Sequence, residues 1–557
     1  MRNLLPEQSF IKKFSDRLKP FGCREDHDWR NAILAQLVPL AGSLASDYER
    51  TAKERDQFTA NTNLRKIYER LIRRDFFWGE LNLSWNEYEL DRFAEETANK
   101  AKALVDRFEH ERASTMLKAR IESYDIPYPL LDEDNYEAAN KRLCDAQWWR
   151  QKLRRMQAET LEQVHRELGR VNRYKDIYIS SDNLQRSRRR KQSNENVLNR
   201  TVAVNDAGEE YTLEQLQALS VADPYIRRSE LMVRLRGFEE VSHLLDYEGV
   251  FVTHTAPSKY HPFKQGCKVN PKYNSATARE ANDYLCKVWE RMRACIGRND
   301  IRVFGFRIAE PHHDGTPHHH FLLFINPKDK AAFLEIFNRY ALQEDGKESG
   351  AKKYRVKVET IDPAKGSAVG YIAKYISKNI DGYGIEEDSY GREAKSSAER
   401  IRAWASTHNI RQFQQIGGPS VTTWRELRRM NGEEEGIFED ARHAADSSNW
   451  AAYCLVMGGP DVKRALQPIR PAYWQEIDDT TGEMLDPPIT RYGDISKGKI
   501  FGLSCQDKYY LTRLWRWEVK PKEPEPLSTE NEYSALIMHS WGASFFGAER
   551  AALEYCQ

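Results

Sequence analysis

Between residues 1 and about 240, leucines and aromatics recur three and four positions apart among dense charges, the spacing of amphipathic helices. Thr212-Leu-Glu-Gln215 has the form of a capping box and predicts a helix opening there. From about 245 to 382 the texture changes. Residues 249–255 (GVFVTHT), 302–310 (RVFGFRIAE), 318–325 (HHHFLLFI) and 354–361 (YRVKVETI) are short apolar runs that predict strands. Residues 276–296, 328–342 and 368–380 carry helical spacing. The resulting order is β-α-β-β-α-β-α, a split βαβ, ferredoxin-like arrangement with one helix appended. Beyond 382 the chain turns loop-rich and polar until 403–430, and the tail holds a Pro-rich acidic stretch, KPKEPEPLSTENE, with the look of a linker. The expected fold class is α+β. A central antiparallel-sheet domain (241–385) is flanked by a mostly helical region (1–240), a segment that packs on or extends it (386–435) and a mixed region of unassigned role (436–557).

Composition bounds this picture without deciding it. A chain of 557 residues with 40 % hydrophobic and 11 % aromatic positions can build packed cores and is not broadly disordered. Its 85 basic and 84 acidic side chains nearly cancel, so net charge speaks neither for nor against nucleic acid. Local segregation is what remains: residues 141–155 (KRLCDAQWWRQKLRR) and 186–191 (RSRRRK) are strongly basic, and the second run predicts a mobile polar segment. Eight scattered cysteines form no C-x-x-C pair and no disulfide framework, which fits a reduced setting. With no apolar signal core and no long apolar run, a soluble cytoplasmic protein without a membrane partner is expected.

Candidate chemistry concentrates in the middle block. In a strand, His318 and His320 project from one face while His319 points to the other, packed face. Glu310 closes the preceding strand, and a hairpin turn brings its carboxylate beside the two imidazoles. Two nitrogens and one oxygen, with room for water and phosphate, suit Mg²⁺ or Mn²⁺ as a Lewis acid. Isolated strand histidines are more often structural, and His312, His313 and Asp314 crowd the turn as alternative third ligands. Zinc is conceivable, but no cysteines or HExxH spacing accompany the group.

The predicted helix over 368–380 supplies a complement. Tyr371 and Tyr375 are four apart and share a face, and Lys374 and Lys378 repeat that spacing beside them. A phenol of pKa about 10 is scarcely ionised at neutral pH, so lysines and a metal-bound phosphate would both favour phenolate. Tyrosines at this spacing usually pack on a sheet, and such lysines usually reach into water. It is the combination with a metal hairpin that favours chemistry.

The segments EPHHDGTPHHHFLLF and YIAKYISKNID resemble the HUH endonuclease superfamily. More closely, they resemble the phage replication gene A protein family of rolling-circle initiators. SVADPYIRRSELMVRLRGFEE (220–240), FVTHTAPSKYHP (251–262) and IRQFQQIGGPSVTTWRELRR (410–429) are similar to that family too, so the resemblance covers most of 140–430. It implies that His318 and His320 are the paired histidine ligands and Glu310 the acidic third ligand. His319 departs from the bulky apolar residue usual between them. Tyr371 and Tyr375 correspond to the paired nucleophiles, Lys374 and Lys378 to accompanying basic positions, and Thr253 and Thr255 to a strand beside the metal. The implied activity is transesterification: a tyrosine nicks the origin, holds the 5′ phosphate covalently, and a second cleavage and rejoining close a circle. The implied partners are single-stranded or locally melted origin DNA, a host helicase and the replication machinery.

Candidate DNA contacts are Arg150, Arg154 and Arg155, then Arg188, Arg189 and Arg190, and the arginines of 227–236, with Trp148, Trp149 or Trp424 as base-stacking rings. A solvated helix face or a buried aromatic is the ordinary alternative for each. Residues 493–500 fit G-x-x-x-x-G-K, but Ile500 stands where a metal-binding Ser or Thr belongs, so this is read as a chance loop. Rival readings are an HUH relaxase or transposase, a non-catalytic origin-binding protein, and a metal-dependent hydrolase that uses water.

Overall fold

The computed structural model describes residues 5–77, 83–122, 126–129, 135–264, 268–361, 367–388, 390–430, 435–474, 489–496 and 498–523. The chain is mixed α and β, and its three sheets are antiparallel. Two compact units emerge. One comprises Met1–Asn183, Pro262–Thr277 and Gln475–Lys497, the other Leu184–His261, Ala278–Trp474 and Gly498–Gln557. No helix among the described residues is long and apolar enough to cross a membrane.

The first unit is helical where described, as the three-and-four spacing predicts. Leu34, Leu44 and Tyr48 pack with Leu161 and Val164 in one core, and Leu90, Phe93, Trp149 and Leu153 in another. Buried Arg30 is satisfied by the Tyr48 hydroxyl at 2.9 Å and by the carbonyls of Phe21 and Leu18. The basic run 186–191, expected to be mobile, lies instead within the helix Ser181–Arg200. Arginine, lysine and glutamine are good helix formers, and the pairs Lys191–Glu195 and Arg188–Glu399 anchor it.

The second unit is built around a five-stranded sheet. Its strands are β1 (Glu248–Thr255), β2 (Val303–Pro311), β3 (Pro317–Ile325), β4 (Val356–Thr360) and β5 (Phe413–Ile416), arranged β4-β1-β3-β2-β5. Helices α1 (Ala278–Arg298) and α2 (Lys330–Ala341) cover one face, where Leu285, Val288 and Phe337 meet Val250, Val252, Phe321 and Leu323. Helix α3 (Ala368–Ile380) and the helix Pro224–Leu244 cover the other, against Phe251, Phe306, Ile308 and Leu322. The alternation along each strand therefore divides two cores. The order β-α-β-β-α-β-α is the one expected from the sequence.

Details differ at the edges. Tyr354 belongs to a short helix, Ala351–Tyr354, and β4 starts two residues later. A 3₁₀ turn, Pro327–Asp329, precedes α2, because the Asn326 side chain accepts from the Lys328 N–H and starts the turn. Strand β5 was not anticipated. The capping box at Thr212 is present, with Gln215 N donating to Thr212 Oγ1 at 3.1 Å. After Gly498 the chain enters a strand, Ile500–Cys505, where a phosphate-binding loop would need a helix.

Candidate active site

The β2–β3 hairpin places Glu310 directly opposite His318 and Ile308 opposite His320. The turn between them is pinned. His312 N donates to Thr316 O at 2.7 Å, Asp314 accepts from Thr316 N at 2.9 Å, and Trp404 Nε1 donates to Gly315 O at 2.9 Å. Glu310, His318 and His320 are all buried, and one ligand atom from each lies within 4.8 Å of the other two, a group able to hold a metal ion. Of the alternatives for the third ligand, Asp314 is turned to His261, 3.1 Å away, and the group contains none of the three turn residues.

Electrostatics at this group are set by its neighbours. His320 Nε2 lies 3.1 Å and His318 Nε2 3.7 Å from Glu310 Oε2, while the Lys378 ammonium pairs with Glu310 Oε1. Burial by itself would raise the Glu310 carboxyl, but Lys378 and the His320 hydrogen bond outweigh it and hold the pKa at about 2. Burial, reinforced by the neighbouring imidazoles and Lys378, pushes His318 well below its ordinary value, so the ring is neutral as a ligand must be. The other nitrogen of His320, Nδ1, meets the Thr253 hydroxyl at 2.9 Å. A hydroxyl donates or accepts, so it serves either tautomer and fixes the ring plane. His319 faces the opposite core, where Nε2 meets Asn282 Oδ1 at 3.0 Å.

Helix α3 begins where the sequence reading put it. Ser367 caps it, accepting from Gly370 N at 3.0 Å, and Glu239 accepts from the Ala368 and Val369 amides. Ile372, Ile376 and Ile380 bury one stripe against the sheet. Half-buried Tyr375 then lies over the site: its ring centroid is 4.3 Å from that of His320 and stacks on Phe251 at 5.4 Å. Burial first, and the charges of Glu310 and Glu359 next, push the Tyr375 phenol up to about 12. Tyr371, one turn earlier, is half-buried, and Lys374 is exposed. Lys378 is buried and bound to Glu310, so its ammonium steadies the ligand carboxylate.

Other groups near the triad were not singled out by sequence reasoning. The His312 ring stacks 4.0 Å from that of His318. Asn379 donates to Tyr375 O at 2.6 Å and accepts from Gln412 at 3.1 Å, tying α3 to the segment before β5. Tyr390 stands edge-on to His313 at 6.1 Å, its phenol raised to about 12 by burial and by the charges of Glu310 and Asp314. None of these has a spacing signal, because each comes from a turn or a different element.

The candidate DNA contacts are distributed otherwise. Arg150 pairs with Asp91, Arg154 with Glu87 at 2.9 Å, and Arg188 with Glu399 at 2.8 Å. Arg190 reaches Ser406 at 3.3 Å, while Arg155 and Arg189 are exposed. In the 227–236 cluster, Arg228 binds Asp381 and Arg234 is buried beside Glu230. Trp149 and Trp424 are core residues with no face open to a base, and Trp148 lies edge-on to Trp149.

Comparison with known proteins agrees with this geometry. Residues 84–383 match the model of the bacteriophage replication gene A protein (GPA) family. The chain is 39 % identical over 412 residues to the replication gene A protein of Escherichia phage 186, covering 72 % of this chain and 58 % of that one. It is 39 % identical over 417 residues to a probable replication protein of Pseudoalteromonas phage PM2, covering 72 % and 63 %. A protein of Salmonella paratyphi A named a probable replication endonuclease from a prophage-like region is 34 % identical over 397 residues, covering 67 % and 48 %. The matched regions thus span about half to three-fifths of these relatives. No solved structure matches the chain. With more than half its length matched by the family model, the chain belongs to the bacteriophage replication gene A protein family.

Proposed function

We propose that this protein is a DNA replication initiator, a site-specific endonuclease of the HUH type that nicks one strand of an origin by tyrosine transesterification. The observation that carries the reading is the contact of Tyr375 with His320 inside a Glu310–His318–His320 ligand group. Relatives named replication endonucleases support the nuclease class. The donor set fits a divalent cation such as Mg²⁺ or Mn²⁺. When bound, such an ion supplies positive charge for the phosphoryl oxygens and offsets the Glu310 charge that holds Tyr375 protonated.

The chain's own residues then do the following. A phenol oxygen of Tyr375 or Tyr371 attacks the phosphorus of a single-stranded or melted origin and gives up its proton. The bond from phosphorus to the 3′ oxygen breaks, that oxygen takes up a proton, and the 5′ phosphate remains esterified to tyrosine. Bond energy is retained, so a later 3′ hydroxyl can reverse the step without ATP. Lys378 and Thr253 keep Glu310 and His320 in place, and the Phe251 ring fixes the plane of Tyr375. Two phenols four residues apart allow alternate cuts in successive rounds. Unwinding would fall to a host helicase, and the setting would be the cytoplasm of a bacterial host.

The test is an origin oligonucleotide incubated with protein and Mg²⁺ or Mn²⁺. A covalent complex that survives a denaturing gel is expected. Chelation, His318→Ala with His320→Ala, or Tyr371→Phe with Tyr375→Phe should each abolish it, whereas one Phe substitution leaves partial activity. An adduct on the double Phe variant would overturn the nucleophile assignment, and turnover without any adduct would indicate a hydrolase that uses water.

A further inference from the structure

Every tryptophan that is exposed among the described residues lies in one stretch of the C-terminal part: Trp474, Trp515 and Trp517, at 54 %, 49 % and 44 % exposure. Tyr509 is more exposed still, at 69 %. The rings form chains of neighbours. Trp474 lies 5.8 Å from Phe501, Phe501 lies 6.0 Å from Tyr509, and Trp517 lies 6.0 Å from Tyr211. The strand Trp517–Pro521 is an edge strand, paired only with Thr201–Asn205 in the order of its sheet. This stretch lies outside the residues matched by the family model.

Charge decides what such a surface fits. Between 508 and 522 five basic residues (Lys508, Arg513, Arg516, Lys520 and Lys522) are interleaved with the aromatics, against one acidic residue, Glu518. All five are exposed; Arg513 also pairs with Glu426 at 2.9 Å. An apolar protein partner would be repelled by cations set between the rings, and a duplex hides its base faces. A single strand presents flat bases separated by phosphates, the complement of alternating rings and cations.

We infer that Tyr509, Trp515 and Trp517, with Lys508, Arg516 and Lys520, form a stacking platform for single-stranded DNA separate from the catalytic hairpin. The inference rests on the proposed function for its choice of nucleic acid, and it adds a second binding surface that holds the strand without cutting it.

The test uses the full chain, intrinsic tryptophan fluorescence and an oligo(dT) of about 30 nucleotides, long enough to cover several stacking positions. Quenching and saturable binding are expected, with a duplex of equal length binding far more weakly. Tyr509→Ala with Trp515→Ala and Trp517→Ala should weaken oligo(dT) binding by about tenfold or more, since each lost stack is worth about that factor. The same triple variant should still form the metal-dependent adduct on a saturating short origin oligonucleotide, which also shows that it folds. The His318→Ala/His320→Ala variant should bind oligo(dT) normally, so a failure of the nicking chemistry leaves this result intact. Unchanged affinity of the triple variant, equal binding of duplex, or loss of a protein partner with DNA binding unaffected would each overturn the platform.

Discussion

His254 on β1 is fully buried and lies on the face covered by α1 and α2, edge-on to Phe337 at 5.7 Å. Both of its ring nitrogens lack hydrogen-bond partners. Burial, and then the charge of Arg355, lower its pKa to about 3. The sign of the linkage follows. In the unfolded chain the imidazole takes up a proton below about 6.5, while in the folded protein it stays neutral until about 3. Its contribution is therefore complete above about 6.5 and is lost as pH falls through that window. His254→Leu removes both the orphaned nitrogens and the titration. The variant is expected to melt at or above the wild-type temperature at pH 7.5, with the gap widening toward pH 5 in thermal unfolding followed by circular dichroism. A gap that stays constant with pH would show that His254 is not held neutral. By contrast His320, two strands' width from any such freedom, has both nitrogens engaged, which is what distinguishes a ligand from a trapped core histidine.

At the level of elements, the hairpin that carries the ligands depends on Gly305. Its φ is +146°, and a Cβ there would lie 2.0 Å from the Leu322 carbonyl oxygen of the paired strand. Gly305→Ala must push β2 off β3 and disturb the register that sets Glu310 opposite His318. A loss of several kcal/mol, on the order of 3, is expected, read as a lower denaturant midpoint, with adduct formation falling in parallel. The strands and the α3 helix were legible because their signals are local. Apolar alternation marks β1, β2 and β3, and Ser367 caps α3 at the residue where the helical spacing starts. Glu310, His318 and His320 were legible for the same reason, since a hairpin register follows from the turn. Strand β5 was not, being four residues long and held by pairing with β2 about a hundred positions earlier in the chain. The sheet joining Thr201–Asn205 to Trp517–Pro521 was hidden by a still longer separation. Lys378 looked like a partner for phosphate because spacing shows a helical face but not the carboxylate opposite it.

The whole molecule consists of two compact units with separate cores, and neither is a continuous stretch of chain. Residues 262–277 and 475–497 return to the first unit from far along the sequence, where no composition shift marks the crossing. All three ligand residues belong to the second unit alone. A ligand that binds only the folded form stabilises by RT ln(1 + [L]/Kd), about 2.7 kcal/mol at a hundredfold excess over Kd. Mn²⁺ is therefore expected to raise the unfolding temperature of one calorimetric transition by several degrees and to leave the other unmoved. Chelation should reverse the shift, and His318→Ala with His320→Ala should remove it. Tyr371→Phe with Tyr375→Phe should keep it, because the phenols are not in the ligand group. A shift that survives loss of both histidines would place the cation elsewhere, while a shift that disappears with the phenols would make tyrosine a ligand and not the free nucleophile the mechanism requires.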